Sequence, residues 1–168
     1  MELKVKKIRH TAIIPQFKTK GAVAMDFYAS LDGLKETTRG LGDRELTILP
    51  GEIIAIPLGV AVQLEDGYEM RIRPRSSIML KGIAIATFDD EERAGTIDSD
   101  YRGEVHAILQ NLARVPFVLA DGDRICQGII SRVECPANGL IINEVDELDS
   151  TLRGEKRFGH TDKVDAAL

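Results

Sequence analysis

No run of apolar residues in this sequence approaches the roughly 18 that a membrane-spanning helix needs, and no useful length of it repeats apolar residues at helical spacing. A soluble chain without a membrane partner is expected, and helices have little to be built from. Tryptophan is absent and aromatics make up only 5% of the residues. Cysteine is nearly absent too: Cys126 and Cys135 stand alone, with no second pair and no histidine spacing that would make a metal knuckle. They are read as reduced cysteines in or near the core of a cytoplasmic protein. Strong positive charge is missing, since the formal net charge is -5. A protein whose main task is wrapping duplex nucleic acid usually needs a basic face, so no direct nucleic-acid binding is expected and any anion must be gripped locally. The first seven residues, MELKVKK, alternate apolar and charged side chains and lack the continuous apolar stretch of a signal peptide, so they read as a first strand.

What is present points to one compact β domain with tails. The 168 residues are 43% hydrophobic, enough for a core, and 29% charged. Turn signals recur at Asp32-Gly33, Pro50-Gly51, Asp66-Gly67, Asp121-Gly122 and Asn138-Gly139. Between them, Glu52 to Leu64, Tyr68 to Arg73, Glu104 to Asn111 and Arg124 to Val133 are rich in Val and Ile and read as strands. Many short strands predict an all-β sandwich, barrel or jelly roll. One short helix is expected over Ser76 to Leu80, where a serine pair can cap an apolar turn. Residues Asp32 to Glu45 read as an irregular surface loop, and Asp89 to Glu92 as a solvated hairpin tip.

Three stretches carry chemistry. GTIDSDYRGE, residues 95 to 104, is the densest polar cluster and runs directly into an apolar strand. It could supply a base, a stacking surface and an anion contact; equally, its aspartates could cap turns and its arginine pair with them. Arg73-Pro74-Arg75-Ser76-Ser77 lies where a strand gives way to a helix, so it suits either a phosphate or simple capping. After Asp149 the composition changes to STLRGEKRFGHTD, which reads either as a frayed tail or as a basic, aromatic-tipped clamp for phosphates. GDRICQ at 122 to 127 is a bland turn into a strand by itself.

The set and its order say more than any member. AVAMDFYA at 22 to 29, PRSS at 74 to 77, GTIDSDYRGE at 95 to 104, GDRICQ at 122 to 127 and RGEKRFGHT at 153 to 161 together resemble the ordered motifs of the trimeric dUTPase family, over nearly the whole chain. The resemblance implies a jelly-roll-like β-barrel or sandwich of the β-clip type, spanning residues 1 to 148, with a mobile arm at 149 to 168. It implies a homotrimer with shared sites, dUTP as substrate and Mg2+ as cofactor. Residue by residue, Asp98 matches the aspartate that activates the attacking water, and Tyr101 the tyrosine beneath the deoxyribose that leaves no room for a 2'-hydroxyl. Arg75, Ser76 and Gln127 match residues that hold the phosphates, Ser77 beside them is counted with the substrate-binding residues, and Asp26 matches an aspartate that reaches Mg2+ through water. Arg153 matches an arginine closing on the triphosphate, while Phe158 and Gly159 match the pair that covers the uracil.

Physical chemistry agrees with that transfer. A bound dUTP brings about four negative charges, so a divalent cation and several arginines are needed to stabilise the transition state, and one carboxylate suffices to orient a water. Backbone groups of a strand pair between residues 82 and 97 are expected to read the uracil, because cytosine would leave a buried donor or acceptor unpaired. The chain departs from the family pattern in three places. Residues 86 to 94 replace an asparagine and short turn with what looks like an insertion; Arg157 and His160 flank the arm's aromatic pair; and Ser77 stands where glycine is usual. Arg-Ser-Ser is also reminiscent of dCTP deaminases, which resemble one another in a catalytic glutamate where this chain has Ile108.

Overall fold

The computed structural model describes residues 1–34, 44–86, 95–151 and 154–155. Its strands are β1 (Lys4–Lys7), β2 (Met25–Tyr28), β3 (Glu45–Ile48), β4 (Ile53–Pro57), β5 (Val60–Gln63), β6 (Tyr68–Pro74), β7 (Ile83–Ile85), β8 (Thr96–Ile97), β9 (His106–Asn111), β10 (Phe117–Ala120) and β11 (Arg124–Arg132). One helical turn, α1 (Ser76–Met79), follows β6. Every pairing among these strands is antiparallel. They form a four-stranded sheet in the order β2-β11-β6-β8, a three-stranded sheet β4-β9-β7, and the pairs β1-β5 and β3-β10. Among the described residues no sheet closes on itself, so of the expected forms it is the jelly-roll-like sandwich that fits.

The core explains the arrangement. Phe27, Ile48, Ile56, Leu58, Met70, Ile83, Leu109, Leu119 and Ile125 are almost fully withdrawn from water and come from eight different strands and one connection. Each such side chain contributes about 1.5–3 kcal/mol relative to exposure, which is what holds short strands together. β6 shows the alternation that does this: Met70 and Ile72 are buried, while Arg71 and Arg73 face out. Gly128 of β11 lies directly over this core, where a Cβ would come within 2.6 Å of the Phe27 ring.

Three expectations change. The apolar run from Glu52 to Leu64 is two strands rather than one, broken at Leu58-Gly59. Gly59 has a φ of +71° and packs so tightly that a Cβ would lie 2.6 Å from the Ser30 hydroxyl, a site only glycine fits. The helix over Ser76 is present but not capped by serine: its N-cap is Arg75, with no side-chain cap hydrogen bond. The segments at 82 to 97 do not form a strand pair with each other among the described residues; β7 joins β9 and β8 joins β6. The acidic run from Asp89 to Glu92 lies outside the described residues, as does most of the loop after Leu34.

Candidate functional site

Two polar clusters form at opposite ends of β6. The first is built on Asp26 of β2, which is only 3% exposed. Register places Gln127 of β11 opposite it, and the Gln127 amide donates to Asp26 Oδ1 at 3.0 Å. Arg124 Nη1 donates to Oδ2 at 3.1 Å, and Arg75 Nε lies 3.3 Å from Oδ1. Arg75 also donates to the Arg124 carbonyl at 3.1 Å, so both guanidiniums are held in a fixed relation around one carboxylate. Two positive charges against one negative leave the cluster net cationic; Arg124 is open to solvent and Arg75 is partly buried. Ser76 and Ser77 follow immediately and are exposed. Such an arrangement can attract an anion locally on a protein whose overall charge is negative.

Arg124 is the member that sequence reading missed, and a bulge is the reason. Positions 124 and 127 are three apart, so an unbroken strand would point them to opposite faces. The register of β11 on β2 shifts between Arg124 and Cys126. The extra residue brings Arg124 opposite Tyr28 and Gln127 opposite Asp26, two residues apart on one face of β2. Cys126, buried beneath this cluster, has its thiol pushed upward by burial and then by the nearby Asp26 charge.

The second cluster is the turn after β8. Asp98 is exposed, and its carbonyl accepts from the Tyr101 amide at 3.2 Å. Arg102 donates to the carbonyl oxygens of Ser99 and Tyr101, at 2.7 and 2.9 Å, so it braces the turn through the backbone rather than through an aspartate. The Tyr101 hydroxyl donates to the Glu104 carbonyl at 3.0 Å. Its ring lies on Gly103, where a Cβ would come 2.3 Å from the phenol oxygen. The Glu104 carboxylate is in turn clamped by Arg9, with Nε at 2.5 Å and Nη2 at 3.1 Å.

Register separates the two clusters. Ile97 pairs with Met70, so Asp98 falls beside Glu69. Arg75 is six residues further along an extended path, which at about 3.3 Å per residue is roughly 20 Å. On this backbone path the two clusters lie well apart within a single subunit. Arg153, Phe158 and Gly159 lie outside the described residues, as do Arg157 and His160, so nothing here places them relative to either cluster. The chain leading toward them leaves the body with apolar side chains uncovered: Leu140, Ile141, Ile142, Val145 and Leu148 are all exposed.

No group of three or more His, Cys, Asp or Glu side chains able to hold a metal ion occurs among the described residues. Asp26 is a single carboxylate held between two arginines.

The family model described as dUTPase matches residues 42–162. The deoxyuridine 5'-triphosphate nucleotidohydrolase of Caldanaerobacter subterraneus subsp. tengcongensis is 40% identical over 149 residues, 88% of this chain and 87% of that protein. The protein of the same name from Syntrophotalea carbinolica is 36% identical over 160 residues, covering 95% of each. Among solved structures, a mutant dUTPase of Staphylococcus bacteriophage 80alpha with dUpNHpp superposes with a TM-score of 0.76 over 95% of this chain and 98% of that one, at 21% identity. A dUTPase of phage phi11 of S. aureus, described with a structural Mg(II) ion, superposes at 0.70 over 89% of this chain and the whole of that one, at 19% identity. At such identities the structures speak for the fold, and the sequence match speaks for the lineage: the chain belongs to the dUTPase family.

Proposed function

We propose that the chain hydrolyses dUTP to dUMP and pyrophosphate, taking the nucleotide as its Mg2+ complex, at sites completed between the subunits of a homotrimer. Membership of the dUTPase family is the observation that carries this reading. The two clusters divide the work. Arg75 and Arg124, steadied by Asp26 and Gln127, hold the phosphates together with the hydroxyls of Ser76 and Ser77. Asp26 would reach a Mg2+ ion through water, and when bound the ion would supply positive charge to offset the negative charge of the displacement. Asp98, exposed and free to face a neighbouring subunit, accepts a proton from water as its oxygen attacks the α-phosphorus; the bond to the bridging oxygen breaks and pyrophosphate departs. Tyr101 forms the floor of the sugar pocket. Arg153 closes on the triphosphate, and Phe158 with Gly159 covers the base, shutting out water. Such an enzyme would limit uracil in DNA and supply dUMP for dTMP synthesis in the cytoplasm.

The roughly 20 Å between Asp98 and Arg75 supports the shared site, since another subunit can then bring its own Asp98 to the phosphate grip. Uncovered apolar residues from Leu140 to Leu148 support association as well. The test is a panel of dUTP, dCTP, dTTP and UTP with pyrophosphate and ammonia both measured. Pyrophosphate from dUTP alone is expected. Stoichiometric ammonia from dCTP would move the chain to the deaminases, a result that Ile108, an aliphatic residue in β9, argues against.

A further inference from the structure

Tyr101 is more than a third exposed, so core packing does not fix its ring. Two contacts do: the shelf of Gly103 beneath it and the hydrogen bond from its hydroxyl to the Glu104 carbonyl. The position of that carbonyl depends on how residue 104 is held. Its carboxylate Oε1 accepts from Arg9 Nε at 2.5 Å and from the Gly59 amide at 3.1 Å, and Oε2 accepts from Arg9 Nη2 at 3.1 Å. The other arm of the Arg9 guanidinium donates to the Asp32 carbonyl. The Asp32 carboxylate is fixed by the hydroxyls of Thr11 and Ser30 and by the His10 amide. Arg9 also anchors its own backbone, through a 3.2 Å bond to the Gly59 carbonyl.

We propose that Arg9 is a positioning residue for sugar discrimination: by clamping Glu104, 95 residues away in sequence, it sets the height of the Tyr101 ring and so the exclusion of a 2'-hydroxyl. This rests on the reading of Tyr101 as the floor of the sugar pocket. Only a forked, planar donor can hold both carboxylate oxygens and a third oxygen at once; a lysine ammonium is a point charge that cannot span them. Loosening the clamp lets the Glu104 carbonyl, and the phenol bonded to it, settle away from the sugar. A displacement near 1 Å is enough to matter, because a hydroxyl is rejected here by shape alone.

The measurement is the ratio of kcat/KM for dUTP to that for UTP in the full-length protein, well below the melting temperature of each variant. Arg9→Lys is expected to lower the ratio about tenfold, chiefly by raising the efficiency toward UTP. Tyr101→Phe keeps the ring but cuts its bond to Glu104 at an exposed position, so it stays informative even if Arg9 variants fold poorly; it should lower the ratio by a similar factor. Arg9→Lys combined with Tyr101→Phe should lower it no further than either alone, since both break one chain of contacts. A merely structural Arg9 would shift the melting temperature and leave the ratio in place, and that result overturns the proposal. So does an unchanged ratio in Tyr101→Phe. Tyr101→Ala separates the two levels: an unchanged ratio there removes Tyr101 from the sugar pocket, whereas a large drop there with none in Arg9→Lys leaves the pocket intact and refutes only the clamp.

Discussion

Asp98 and Asp26 are aspartates in opposite situations, and their surroundings set what each can do. Asp26 is buried and held between two arginines, which makes it a strut for their guanidiniums. Asp98 is exposed at the end of a two-residue strand, with its carbonyl in a turn and its carboxylate available. Replacing Asp98 with Asn should therefore leave the melting temperature close to the parent's. Turnover of dUTP should fall on the order of a hundredfold to ten-thousandfold, the usual worth of a positioned base. Steady-state rates and a thermal melt check both halves, and turnover within a few fold of the parent would remove Asp98 from the chemistry.

At the level of elements, these strands are too short to stand alone, and their junctions carry much of the stability. Asn111, the last residue of β9, is fully buried and meets its needs across three segments. Its amide donates to the carbonyls of Ile48 in β3 and of Val115, both at 2.9 Å, and its oxygen accepts from the Ala113 amide. Asn111→Ala would strand those groups and open a cavity, costing about 2–3 kcal/mol. In a chain of this size that corresponds to roughly 5–10 °C of melting temperature at fixed protein concentration. A shift below about 2 °C would show that water replaces the side chain without loss.

For the whole molecule, separation of the two clusters along β6 makes a definite assembly test possible. Asp98→Asn and a truncation ending at Thr151 should each be nearly inactive alone. Co-expressed in equal amounts, they should form mixed trimers in which about a quarter of the sites pair an intact Asp98 with an intact arm from a neighbour. Activity should recover toward that fraction of the parent's. Mixed trimers, verified by tags on both chains, that stay inactive would show that base and arm belong to one subunit.

Local chemistry was legible in the sequence because it depends on residues close together in the chain. Alternation in Tyr68 to Arg73, the turn at Asp121-Gly122 and the polar run from Gly95 to Glu104 each declare themselves through a periodicity or a backbone preference, and the order of the motifs names the family. The break at Gly59 was hidden inside an apolar run, because the demand for glycine comes from Ser30 and Ala12 pressing on it from elsewhere in the chain. Arg124 joined the cationic cluster only through a bulge that no periodicity signals. Arg9 met Glu104 across 95 residues of chain, and Asp98 was parted from Arg75 by the register of β8 on β6. Composition and spacing determine which residues can do the chemistry; long-range strand pairing, which each register fixes as a whole, decides which of them meet.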